Sequence, residues 1–388
     1  MTSNKDRAKR VTVVCGALNG GGAERVVIDL CRHLRDNDRD VTLVSLTSGA
    51  DAYEAPSGIA RVRLDVRRKS PTLFHTFWNA FKRSIVVRRN ILRSRPDVVV
   101  TFIDRINIVT LISLFGTGIP VIVSERIHPG YNPIERAWLI LRKWVYPFAN
   151  VVTVQTNEGA DWLRRHIWFS RPVVMPNAIR QSEDLGEGIL SRPTDGPFIL
   201  AVGRFDKQKG FDLLLEAFRQ TGLASQGWSL VILGEGPEGQ ALKEQADRLG
   251  IGQATVFPGF CKVGPWLRAA DIFVMSSRYE GFPNALLEAM QLGCACVSFD
   301  CPSGPRDLIE SGKNGLLVPP QDVGALSKAI CSLASDTSLR ERLAAEAQAV
   351  QQKFNVVSIY TRWINLIDAT APEYGHMPLV SRRRTNTP

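Results

Sequence analysis

The feature that most constrains this chain is a repeated alternation of short, continuous Val/Ile runs with amphipathic stretches. The runs in the first half are VTVVCGAL (Val11–Leu18), VTLVSL (Val41–Leu46), DVVVTFI (Asp97–Ile103), VIVS (Val121–Ser124) and VVTVQT (Val151–Thr156). Runs that are apolar throughout, rather than at every second position, belong to strands buried on both faces. With helices between them, they predict a parallel sheet covered on each side. The stretch AERVVIDLCRHLRD places Val26, Val27, Leu30 and Leu34 on one helical face. The segment 181–197, QSEDLGEGILSRPTDGP, loses this periodicity and gains Gly, Pro and charge, as a linker does. The pattern then restarts with FILAVGRF, FDLLLEAFRQ, WSLVILG, EGQALKEQADRLG, TVFPGF, DIFVMSS, ALLEAMQLG, ACVSFD and NGLLVPP.

The expected architecture is therefore α/β, with two Rossmann-like, doubly wound domains. The first covers 1–180, the linker 181–197 and the second 198–350. A C-terminal helix over 351–370 is expected to cross back to the first domain, and 371–388 reads as a basic tail. A length of 388 residues exceeds one ordinary core and fits two. Ligands bind outside the carboxyl ends of strands in such sheets, so two of them in tandem face a central cleft and suit a two-substrate enzyme. The nineteen residues from Ile106 to Ser124 carry no charge, about the length of a bilayer crossing. Asn107, Gly116, Gly118 and Pro120 interrupt them, so a helix, a G-T-G-I-P turn and a buried strand are expected instead.

Charge is unevenly spread. Residues 1–180 hold 28 Lys and Arg against 15 Asp and Glu, while the remainder holds 20 against 23. A basic first half points to an anionic partner. From Val66 to Arg95 nine Lys and Arg, with no acid, interleave with Leu73, Phe74, Phe77, Trp78 and Phe81; WLILRKWVYPF (Trp138–Phe148) is similar. Both suit an anionic membrane surface, and no base-stacking platform accompanies them to suggest nucleic acid. The seven cysteines lack metal-ligand spacing and read as reduced, buried thiols. The polar start MTSNKDRAKR carries no secretory signal. The expected location is thus cytoplasmic, peripheral on the inner face of the membrane.

Chemistry concentrates in the second half. In AVGRFDKQKGF a strand ends at Gly203, and Arg204 and Lys209 flank the crossing into a helix; a fork and a mobile point charge there form a candidate diphosphate clamp. In EGFPNALLEAM a strand crosses into a helix through Gly281, Phe282, Pro283 and Asn284, with Glu280 before the crossing and Glu288 within the helix. Gly281 permits close approach to a ligand, and amides around Phe282 and Asn284–Leu286 offer an anion site. Eight helical residues rise roughly 12 Å, a span that lets the two carboxylates accept hydroxyl hydrogen bonds at opposite ends of one sugar nucleotide. The alternative is a pair of solvent-facing glutamates.

With RFDKQKG upstream and PSGPRDLIESGKNGLLVPP downstream, this stretch resembles the retaining glycosyltransferases of family 4. These have a GT-B fold and an E-x7-E motif, and the resemblance is densest from Phe198 to Val323. It implies that Arg204 and Lys209 hold a donor diphosphate, that Glu280 meets the donor sugar and Glu288 the ribose, and that Gly203, Gly281, Phe282 and Asn284 contribute to donor binding. Gly21 and Gly22 match the family's glycine loop, and Glu24 the acid after it. It further implies transfer with retention, without a metal or other cofactor, the nucleotide-sugar being a co-substrate. The D-x-D of Asp36-Asn37-Asp38 falls in a polar turn and reads as a surface feature. SERIHP (Ser124–Pro129) resembles the S-E-R-x-x-P of the polysaccharide-assembly branch, making Glu125, Arg126 and His128 candidates for acceptor or sugar contact; a structural ion pair is the alternative for Glu125. The expected reaction moves a sugar, UDP-linked from the breadth of that branch, onto a lipid-diphosphate-linked glycan. Competing readings are a transferase with a small or polymeric acceptor, an epimerase of the same fold and a non-catalytic sugar-nucleotide-binding adaptor.

Overall fold

A computed structural model describes residues 9–18, 22–47, 53–65, 73–131, 134–180, 185, 186, 188 and 194–371, with 73–82 described by backbone alone. The first lobe holds seven strands: β1 Arg10–Cys15, β2 Asp40–Ser45, β3 Ala60–Arg63, β4 Val98–Phe102, β5 Val121–Ser124, β6 Val151–Val154 and β7 Pro172–Val174. They lie in the order β3-β2-β1-β4-β5-β6-β7, and every pairing is parallel. The second lobe holds β8 Phe198–Val202, β9 Ser229–Leu233, β10 Thr255–Gly259, β11 Ile272–Met275, β12 Ala295–Phe299 and β13 Leu316–Val318. Their order is β10-β9-β8-β11-β12-β13, again all parallel.

The continuous apolar runs are explained by burial on both faces. Val13 packs into a layer with Leu30, Leu34 and Trp363, while its neighbour Val14 packs into the opposite layer with Val87, Ile108 and Leu163. Strand order reverses between β1 and β4 in one sheet and between β8 and β11 in the other, which opens a crevice at each point. The sequence reading carries β1 on to Leu18, whereas the strand stops at Cys15. It also passes over β3 and β7. Both are edge strands, of four and three residues, with no fully buried residue, so neither shows the double-sided apolar run that marks the others.

The stretch from Ile106 to Ser124 forms most of a helix (Asp104–Leu114), a turn with positive φ at Gly116 and Gly118, and β5. No helix among the described residues is long and apolar enough to cross a membrane. None of the seven cysteines, all of them among the described residues, forms a disulfide, and five are buried. Most of the linker and the basic tail lie outside the described residues.

The last helix, Val356–Thr370, packs on the first lobe, not the second. Its spacing puts Ile359, Tyr360, Trp363 and Ile367 on one stripe, which enters the core beside Val11, Leu30 and Phe102. Asn355 caps its start through Ser358 N–H (3.2 Å), Tyr360 stacks on His33 with ring centroids 4.1 Å apart, and Arg39 pairs with Asp368 at 2.7 Å. Where the chain leaves the second lobe, Phe354 O accepts from Ile179 N–H at 2.9 Å, joining the two crossings between lobes. Trp363 is 1 % exposed, so Trp363→Ala should cost about 3–5 kcal/mol of first-lobe stability. Chemical denaturation would read this as a lowered midpoint for that lobe.

Candidate active site

The loops after β1, β4 and β5 meet those after β8 and β11 across a cavity of about 340 Å³. Its walls include Glu24, Asp104, Glu125 and Arg126 from the first lobe and Arg204 and Glu280 from the second.

On the second lobe, β11 ends at Met275 and the chain reaches Glu280 before any helix begins; the helix runs Asn284–Gln291, with Pro283 immediately before it. This corrects the picture of two carboxylates separated by eight helical residues, since only Glu288 is helical. Both acids are buried, at 5 % and 6 % exposure, and both are already held. Glu280 Oε1 accepts from Lys209 Nζ at 2.7 Å and from Ser277 Oγ at 2.6 Å. Glu288 Oε1 accepts from Arg25 Nη1 at 2.7 Å, with Arg180 Nη1 at 3.7 Å. Lys209 is therefore not a free cation here, and Arg204 leans on Asp206 at 2.6 Å with its side chain 71 % exposed. The Asn284 amide, expected to be open, bonds to Phe282 O at 2.9 Å. Phe282 is buried against Phe354, and Gly203 gives its N–H to Leu233 O while leaving room for the Lys209 stem.

On the first lobe, Glu125 follows β5 directly. Tyr146 Oη donates a short hydrogen bond to its Oε1, and Arg142 stands 3.7 Å away. Burial outweighs that cation and pushes the Glu125 carboxyl up to about 7. Arg126 donates to Asn177 Oδ1 and lies 5.9 Å from the Phe102 ring centroid. His128 does not line the cavity, contrary to the sequence expectation. Its Nδ1 accepts from Gly130 N–H, its ring packs on Tyr131 and Trp162, and burial lowers its pKa to about 4. Gly21 lies outside the described residues; Gly22 opens the first helix and faces Asn284.

Asp104, Arg25, Asn177 and Arg180 escape the sequence reading. Asp104 had a usable signal, a carboxylate just past a strand end. It follows Ile103, a β-branched residue at φ 74, ψ 133, a conformation that costs of order 1–3 kcal/mol and clusters at functional sites. Arg25 lies 263 residues from Glu288, so no local pattern pairs them.

The lobes touch across the cleft. Asn177 Nδ2 donates to Asn284 Oδ1 at 2.6 Å, and Gln291 Nε2 to Arg180 O at 2.6 Å. At Gly281 the backbones approach so closely that a Cβ there would overlap the Arg126 carbonyl oxygen and sit 2.8 Å from Ile127 Cα.

Two parallel α/β sheets whose crevices face one another over a cavity with buried, paired acids have the arrangement of a GT-B fold. Residues 20–183 match the family model described as Glycosyltransferase Family 4, and 187–350 match Glycosyl transferases group 1. The chain belongs to this family of glycosyltransferases. It is 25% identical over 359 residues to a GalNAc-alpha-(1->4)-GalNAc-alpha-(1->3)-diNAcBac-PP-undecaprenol alpha-1,4-N-acetyl-D-galactosaminyltransferase of Campylobacter jejuni, covering 92% of this chain and 98% of that one. It is 26% identical to the amylovoran biosynthesis glycosyltransferase AmsD of Erwinia amylovora, covering 93% and 99%. HepE of Anabaena, solved in complex with UDP, shares the fold at TM-score 0.74 and 20% identity, covering 93% of this chain and 100% of that one.

Gly281→Ala should hold the lobes apart at this contact without disturbing either core. A misplacement of about 1 Å is enough to cost on the order of 100-fold in rate. Steady-state turnover and small-angle scattering would show a fall of that size with a larger radius of gyration and an unchanged melting temperature.

Proposed function

We propose that the protein is a retaining glycosyltransferase that moves a hexosyl group from a UDP-sugar to a lipid-diphosphate-linked glycan in cell-surface polysaccharide assembly. One observation carries this reading: Glu280, on the wall of an inter-lobe cavity, meets Lys209 at 2.7 Å, while Glu288, one turn into the helix that follows, is held by Arg25. A donor diphosphate entering the cleft competes with Glu280 for Lys209. Glu280 stays satisfied when the ammonium turns away, because Ser277 Oγ still donates to it. The exposed Arg204 pair with Asp206 is weak and breaks readily, so both cations are available to the charge that grows on the departing diphosphate. Glu280 then accepts from donor-sugar hydroxyls and Glu288 from the ribose. The leaving phosphate oxygen takes the acceptor proton, and no metal takes part.

The lipid-linked acceptor is supported by the Campylobacter relative, whose name carries a diphospho-undecaprenol acceptor, and the polysaccharide setting by the amylovoran enzyme. UDP is supported by its presence in the Anabaena structure. The acceptor's lipid calls for a membrane contact. At the sheet end away from the cleft, the connections into β5, β6 and β7 expose Phe115, Phe148, and Trp168 with Phe169 in turn. The helix Arg136–Val145 adds Ile140 and Trp144, the latter 70 % exposed, and Lys143, Arg164 and Arg165 lie nearby in sequence. Ile85, Val86 and Leu92 are exposed between Arg83 and Arg93, whereas the part of the basic stretch before residue 83 lies outside the side chains described. Aromatics beside cations fit an anionic bilayer surface, here the inner face of the cytoplasmic membrane.

Glu280→Ala should lower turnover by about 100-fold or more while leaving UDP affinity within about threefold, as expected for a group that acts on the sugar in the transition state. Unaltered turnover would remove this carboxylate from the mechanism. Flotation with anionic vesicles should carry the protein at low salt, and Trp144→Ala combined with Trp168→Ala and Phe169→Ala should leave it at the bottom of the gradient. Equal flotation of both proteins would rule this surface out as the contact.

A further inference from the structure

Among the described residues three arginines are buried: Arg39, Arg126 and Arg142. Arg39 pairs with Asp368 at 2.7 Å, and Arg142 has Glu125 at 3.7 Å. Arg126 has no carboxylate partner. Its Nη2 donates to the neutral amide oxygen of Asn177, its Nε has no acceptor, and turning the Gln155 amide about supplies only a second neutral oxygen at 3.2 Å. The Phe102 ring face adds a modest cation–π attraction.

Amides and a ring face do not offset the burial of a full charge, which proteins otherwise tolerate only against an opposite charge. Burial accordingly lowers the Arg126 pKa to about 10. The residue also occupies a particular place. It lines the cavity, its own backbone abuts Gly281, and the Asn177 that holds it donates onward to Asn284 at the first residue of the helix Asn284–Gln291. That helix end presents the positive pole of its dipole to the same space. The missing counter-charge is thus the one that a ligand would bring.

We propose that Arg126 is an anion-binding residue of the cleft whose guanidinium takes a phosphoryl group, either from the donor's diphosphate or from the diphosphate of a lipid-linked acceptor. The proposal rests on the reading of the cleft as a nucleotide-sugar site. Planar forks suit phosphoryl oxygens, which they bind through paired hydrogen bonds. Asn177 then acts as a positioning residue that aims the fork and ties it to the opposite lobe.

The test compares the full chain with its Arg126→Met and Arg126→Lys variants, using calorimetric titration with inorganic pyrophosphate, UDP and uridine. Melting of the unliganded proteins is followed in parallel. Removing an uncompensated buried charge should leave the unliganded Arg126→Met melting no lower than wild type. Pyrophosphate should bind about 10- to 100-fold more weakly, from the worth of hydrogen bonds to charged groups, with uridine unchanged and Arg126→Lys intermediate. UDP weakened in step with pyrophosphate assigns the phosphoryl group to the donor. UDP intact, with the KM for a lipid-diphosphate acceptor raised about tenfold or more, assigns it to the acceptor. Unaltered pyrophosphate, UDP and acceptor constants in Arg126→Met would overturn the proposal. So would a melting temperature several degrees below wild type with those constants kept, the mark of a merely structural residue. Wild-type protein that binds pyrophosphate in an Arg126-dependent way but not UDP would count against the nucleotide-sugar reading and leave Arg126 as an anion site.

Discussion

Glu288 sits where water scarcely reaches, and a carboxylate in that position needs a cation. The second lobe holds Glu288 on the helix Asn284–Gln291, but the nearest cation comes from Arg25 on the first helix of the other lobe. Neither lobe completes this pair alone. The same holds for Asn284, which finds Asn177, and for Gln291, which finds the Arg180 carbonyl. The cleft is thus a joint product of two sheets, each with its own core, and these three groups find their partners only when those sheets face each other. Lys209 and Glu280 differ in kind, since both belong to the second lobe and meet without help from the first.

This division assigns different work to the two acids of the E-x7-E spacing. Glu280, with a serine and a lysine beside it, can exchange one partner for another at little cost. Glu288 is anchored to the opposite lobe, so its position is coupled to how closely the lobes approach. Glycine at 281 makes the approach possible, because any side chain there would meet the backbone of Arg126 and Ile127. The freedom of Gly281 is spent on contact with the opposite lobe.

Much of the fold was legible in the sequence because burial on two faces writes itself into consecutive residues: VTVVC, DVVVTF and ACVSF leave no other reading. β3 and β7 were silent for the converse reason, as strands with an open edge carry no such run. In the site, AVGRFDKQKGF and EGFPN each announced a strand-to-helix crossing, the first placing Arg204 and Lys209 and the second Glu280. What the sequence could not convey was partnership. Arg25 with Glu288, and Asn177 with Asn284, lie 263 and 107 residues apart, and only the folded sheets bring them together. His128 went astray differently: it follows a strand end, as a cleft residue should, but the turn at Pro129 and Gly130 folds its ring back onto Trp162.

The return of the last helix to the first lobe has a mechanical meaning. The polypeptide passes between the lobes twice, and the two passes are laced together where Ile179 meets Phe354. A pair of bodies joined at one narrow, doubled seam swings like a book on its spine, and neither slides nor twists freely. Gly281 and Arg126 lie beside that spine, since Phe282 packs on Phe354 and Arg126 is held by Asn177, two residues before Ile179, so small angular changes move them little and the outer edge of the cleft most. The seam thereby sets how wide the cleft opens.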